Sequence, residues 1–157
     1  MSDIILFAHP TFGVLGILGA VWVFVETLNA SEANAARIRT AAFAVAIFIG
    51  LAWIFGGYWY VHFYAPEKAI ILKGPMPWAH NLVMETKEHL FFIPLVLAFY
   101  LPLAARDKLF ANTAARAMVL SVAALIALSG FAIEGGGALI NYGVKVAFVH
   151  SGAQGAE

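Results

Sequence analysis

The chain contains no cysteine. That excludes a disulfide framework, thiolate-ligated clusters and covalently attached c-type haem. Charge is scarce: 11% of residues are charged and the formal net charge is +0, against about a quarter charged in ordinary globular domains. With no basic stripe, nucleic-acid binding is excluded. The apolar stretches lack the period-2 alternation of lipid-facing strands, so a β-barrel is excluded as well. There is no internal repeat and no stretch with the composition of a separate soluble domain. What remains is apolar: 62% of the 157 residues are hydrophobic, and the mean hydropathy is +0.86.

Four long apolar runs carry that excess, at about 4–28, 40–64, 82–104 and 114–138. Each is long enough to cross a hydrocarbon core of about 30 Å, which needs about 20 helical residues. The first run has no positive n-region and carries His9 and Glu26, so it does not read as a cleavable signal. The connectors are short and polar, with Asn29–Asn34 after the first run and Ala105–Lys108 after the third, and Asn112 or Thr113 is the expected N-cap of the fourth. Pro66, Pro75 and Pro77 punctuate the longest connector, 65–79, whose patch Ala69–Leu72 is expected to lie along an interface. Connectors this short force antiparallel neighbours. The predicted fold is one all-α domain, an integral membrane four-helix up-and-down bundle, with 139–157 as a C-terminal segment outside the membrane.

Arg37, Arg39, Arg106, Lys108 and Arg116 lie beside the first and third connectors; Lys68, Lys73, Lys87 and Lys145 lie on the other side. By the positive-inside rule this places both termini and the 65–79 connector on the periplasmic side of a bacterial inner membrane. Glu26 is expected to pair with Arg37 or Arg39.

Against this background six ionisable side chains stand out: His9, His62, Glu85, Glu88, His89 and Glu134. Laid out on the bundle they fall near one membrane face. A polar side chain in hydrocarbon is costly and marks a functional site by default. Asn81, Glu85, Glu88 and His89 share a helical face and are expected to point inward, with Lys87 snorkelling outward. His80 is expected on the connector or at the start of the third helix and carries no assigned role; His150 is expected on an exposed tail.

Two stripes of small residues end in polar groups. His9 precedes Gly13, Gly16 and Ala20; Glu134 follows Ala123, Ala127 and Gly130. Such stripes let helices approach closely with nothing between them, or they leave room for a flat ring. With imidazoles at one depth on separate helices, the expected cofactor is haem b, ligated among His9, His62 and His89 beside Gly13, Gly16 and Gly130. The alternative is a non-haem iron, copper or zinc site built from His9, His62, His89, Glu85, Glu88 and Glu134. The di-metal bundle signature Glu-x-x-His is absent: Glu85 to His89 is i,i+4.

His9-Pro10 at the start of the first helix and the late segment from Gly135 to Val146 resemble a family of small, uncharacterised bacterial four-helix membrane proteins. Some members are joined to Rieske or cytochrome c domains, which implies redox surroundings; membrane b-type cytochromes are the functional analogy. The chain departs from that pattern at Gly13, where the family tends to carry a second histidine, and in the spacing from the glycines to Gly143. The expected function is electron transport between the quinone pool and an outer-side partner, such as a periplasmic cytochrome or a larger respiratory complex. The bland rival is a structural subunit of a respiratory membrane complex. No serine sits with a histidine and a carboxylate as a catalytic triad would require.

Overall fold

The computed structural model describes residues 2–154. The described chain is helical throughout: α1 (Ser2–Leu28), α2 (Ala35–Phe63), α3 (Ala65–Lys73), a π-helical turn (Ala79–Met84), α4 (Glu85–Leu90), α5 (Phe92–Ala104) and α6 (Thr113–Gln154). Four stretches are long and apolar enough to cross a membrane: Ile4–Leu28, Ala35–Phe63, Ala79–Ala104 and Thr113–Gly152.

The long helices close a ring. α1 packs on α2 and α6, and α5 packs on the same two helices from the other side. Small residues set the approach. Ala20, Ala42, Ala98 and Ala123 are buried, and Val45, Ile49, Val119 and Ile126 fill the seam between them. At Gly16 an added Cβ would stand 2.5 Å from Ile49 Cδ1; at Gly130 it would stand 2.6 Å from Ile17 Cγ1. The outward faces carry large apolar side chains such as Phe7, Trp22, Ile47, Val96, Phe99 and Leu128.

One end is held by polar contacts. Arg37 Nε pairs with Glu26 Oε1 at 3.2 Å, as expected, and Asn34 Nδ2 also donates to Glu26 Oε2 at 2.9 Å. Arg39 instead donates to the carbonyls of Ala105 and Arg106 at 3.3 and 3.1 Å, closing the C-terminal end of α5 where orphan carbonyls collect. Asn112 Oδ1 accepts from the Ala115 amide at 3.0 Å, the N-cap bond of α6.

The other end differs from the expectation. The 65–79 connector is not an open loop: Pro66 falls in the first turn of α3, where its missing N–H costs nothing. The fourth long helix does not end near 138: α6 runs unbroken through Gly135, Gly136 and Gly137 to Gln154. Each interior glycine costs about 1 kcal/mol in helix propensity. Packing offsets this: Ile140 and Val144 join Tyr64, Ile71, Ala79 and Met84 in a second core. The third run is also subdivided, by the π-helical turn and by a break at Phe91. The helices start earlier than the apolar runs, because Ala35–Arg39 forms helix despite its charge.

Two predictions follow from this packing. Gly16→Leu should destabilise the bundle by about 1–3 kcal/mol through overpacking, and Ile49→Ala should recover part of the loss; denaturation in detergent micelles measures both. On α3, burial raises the Glu67 carboxyl above its ordinary pKa. A raised carboxyl contributes stability below its unfolded pKa and loses it as pH rises through the folded value. Glu67→Gln should therefore dock α3 more firmly at pH 7, the difference vanishing below about pH 4, as read by amide exchange in 65–73.

Candidate functional site

Three ionisable side chains from three helices each lie over a glycine. On α1, His9 Nδ1 meets the Ala52 carbonyl of α2 at 2.8 Å, and its ring covers Gly56, where a Cβ would stand 2.5 Å from Nδ1. On α6, Glu134 lies over Gly13 of α1, and a Cβ at Gly13 would collide with Glu134 Oε1. On α4, Lys87 reaches α6 at Gly137, with Nζ 3.1 Å from where a Cβ would be. Lys87 acts electrostatically on both Glu134 and His9. The absent Cβ atoms make the space, so His9, Lys87 and Glu134 form one polar centre between α1, α4 and α6.

Beside the centre, toward the second core, lies a set of aromatic and acidic groups. Tyr60 stacks on Tyr64 with centroids 5.2 Å apart and faces the Glu88 carboxyl. Glu88 Oε1 is buried and has no hydrogen-bond partner. Tyr64 Oη and His80 Nδ1 are 3.1 Å apart and both groups are buried. His80 Nε2 lies 3.7 Å from Glu85 Oε1. Burial raises the Tyr64 phenol pKa above its usual range, so the group stays protonated at neutral pH.

Several expected residues are elsewhere. His62 is exposed, with its ring edge-on to Tyr58 at 4.2 Å. His89 is exposed, with Nδ1 on the Glu85 carbonyl at 2.6 Å. Asn81 and Glu85 are exposed and Glu88 is half-buried. The stripe expected to point inward therefore faces mostly out, and Lys87, expected outside, is the inward residue. The cause is the α5 face. Pro94, Ala98 and Leu101 are buried; two α-helical turns back from Pro94 lies Lys87, and beyond it the π turn carries His80 inward. Glu85 and His89 lie on the opposite side.

The room expected beside the small-residue stripes is filled. Gly13 is covered by Glu134, Gly16 by Ile49 and Gly130 by Ile17. Among the described residues, no three histidine, aspartate or glutamate side chains gather closely enough to hold a metal ion. Of the residues read from sequence, the structure brings together His9 and Glu134, and it adds Lys87. It also gives His80 a buried, fully engaged position. The signal for His80 was its distance of five residues from Glu85, which matters only in a π turn.

No family model matches the chain, and neither does any curated protein or solved structure. The chemistry is therefore read from the residues. A carboxyl, an ammonium and an imidazole within one apolar enclosure can give and take protons and can hydrogen-bond a polar ligand from several sides.

The centre should behave as a coupled unit. Lys87→Met removes the cation that acts at a distance on the Glu134 carboxyl and should cost roughly 1 kcal/mol. The pair Lys87→Met and Glu134→Leu together should cost less than the sum of the singles, and a double-mutant cycle in detergent measures the difference.

Proposed function

We propose that the chain crosses the membrane as an up-and-down four-helix bundle and serves as a redox protein of the quinone pool, with His9, Lys87 and Glu134 as its proton-handling centre. The observation that carries this reading is the convergence of three ionisable side chains, each seated over a glycine, inside an apolar bundle. Such groups mark substrate or proton pathways in membranes.

Depth supports it. At 1.5 Å per residue, about 26 Å of helix separates Glu26 from His9, about 27 Å separates Arg116 from Glu134, and about 28 Å separates Arg106 from Lys87. The three groups are level. With the arginine-rich end at the inner headgroups, they lie in the outer part of a core of about 30 Å. Lys145 lies about 44 Å along α6 from Arg116, which matches the 40–45 Å that includes both headgroup layers.

A quinone headgroup enters from the lipid and carries oxygens at both ends. Lys87 donates a hydrogen bond to it, and His9 Nε2 and Glu134 accept the two protons of the quinol; His9 Nδ1–H is committed to the Ala52 carbonyl, which leaves Nε2 to accept. Oxidation of a quinol releases two electrons and two protons. The electrons leave one at a time to a one-electron acceptor on the outer side, such as a periplasmic cytochrome.

A specific observation favours haem b as the electron carrier. His89 holds Nδ1 against the Glu85 carbonyl, which fixes the ring and leaves Nε2 to ligate, as iron-bound histidines do; His9 is held in the same way, but here its Nε2 takes a quinol proton. An imidazole facing lipid at the depth of His89 is costly, which favours a group covering it. Within one chain the fit is incomplete: His89 is exposed, and Gly13, Gly16 and Gly130 are covered by side chains. No step above runs through the ring.

Quinone titration and a reduced-minus-oxidised spectrum of the detergent-purified protein test the reading. A membrane quinone should bind, with affinity lowered about tenfold or more in Lys87→Met and in Glu134→Gln, since each removes a hydrogen bond to a charged group. His150→Ala should bind as the parent does. Sharp α and β bands that vanish in His89→Ala would establish haem b. A colourless protein with no quinone affinity would overturn the reading and leave a structural subunit of a larger membrane complex.

A further inference from the structure

We propose that Tyr64, His80 and Glu85 form a proton path from the interior of the outer end to water, with His80 as its transfer group. Tyr64 is 1% exposed and His80 is 2% exposed. The Glu85 side chain at the far end is 48% exposed. The three groups thus run from a sealed interior to solvent.

The backbone is wound to make this contact. Five residues separate His80 from Glu85, which in an α-helix would put them about 140° apart. The segment is a π turn instead, and the Glu85 amide donates to the His80 carbonyl. A π turn stacks residue i on i+5 and is often found at functional sites. It brings Nε2 to 3.7 Å from Glu85 Oε1, a gap that a small rotation of the half-exposed carboxyl closes.

The polarity of the chain follows from its ends. The carboxylate accepts only, so His80 carries its proton on Nε2. Nδ1 then accepts from the Tyr64 hydroxyl at 3.1 Å. When a proton is taken up at the Tyr64 oxygen, that hydroxyl's own proton passes to Nδ1 while one leaves Nε2 to the carboxylate, and Glu85 releases it to water; Tyr64 is a phenol before and after. One proton enters and one leaves, and ring rotation or back-transfer resets the tautomer. Lys68 on α3 and Glu85 and Glu88 on α4 are the charges acting on His80. At the inner end, Tyr60 stacks on Tyr64 beside the unpartnered Glu88 Oε1.

The path's use as the outlet for quinol protons rests on the function proposed above; the path itself is tested without quinone. The full chain, labelled with 15N-histidine and held in nanodiscs, reports the His80 ring by NMR. The Nε2–H tautomer is expected, with the Nδ1 resonance moving in Tyr64→Phe. The ring proton should exchange with water by way of the Glu85 carboxylate, and Glu85→Gln should slow that exchange about tenfold or more, as loss of a general base does. Glu85→Asp keeps a carboxylate and should keep the exchange. Backbone amide exchange across 79–84 separates loss of the path from loss of local fold. An unchanged ring exchange rate in Glu85→Gln, or an Nδ1–H tautomer in the parent, would overturn the path. Failed quinone binding with this exchange pattern intact would overturn only the quinone reading.

Discussion

Close approach of backbones at glycine is the constraint on which the rest of this structure depends. At Gly16 and Gly130 the missing Cβ admits an isoleucine from the neighbouring helix and draws the apolar ring together. At Gly13, Gly56 and Gly137 the same absence admits a carboxyl, an imidazole and an ammonium. One packing device thus serves two ends. Toward the arginine-rich end it excludes everything but hydrocarbon; toward the other it makes recesses that only polar groups fill. A methyl at any of the second set would push a polar group out of its recess or into a helix backbone, where it loses its compensation for burial.

The four apolar stretches were legible in the sequence because length and hydropathy decide them directly. The Glu26–Arg37 pair and the Asn112 cap were legible for the same local reason. The facing of the third stretch was not. Reading Asn81, Glu85, Glu88 and His89 as the inward face took polarity as the guide, whereas the small buried residues Pro94 and Ala98 fix the rotation. Extending that apolar face backward reaches Lys87, and the π turn beyond it carries His80 inward; the sequence reading had set both aside. From sequence the fourth run ends near 138, just past the glycines at 135–137, whose helix propensity is poor. Packing against the second core overrides it, and propensity alone cannot see a partner that lies 60 residues away in the chain.

The π turn ties the two misreadings together. A uniform α-helix from 79 to 90 would send His80 and Glu85 to different faces, and their contact would not exist. The turn keeps His80 inside against Tyr64 while Glu85 stays at the surface. It sits where α3 and the late part of α6 cover the bundle, so its irregular backbone bonds are shielded by protein, as irregular backbone at a membrane edge must be.

That cover explains why α6 is so long. Its 42 residues span about 63 Å, roughly twice a hydrocarbon core. In a bilayer, the part beyond the core has no lipid to bury its apolar side. Ile140 and Val144 bury it instead against Tyr64, Ile71, Ala79 and Met84. The result is a cap over the end of the bundle that holds His9, Lys87 and Glu134. Under the function proposed above, a polar centre with that cap over it and lipid around it keeps a low dielectric, which strengthens the interactions among its charges, and its protons need a route out. The buried imidazole of His80, with a phenol inside and a half-exposed carboxyl outside, offers that route.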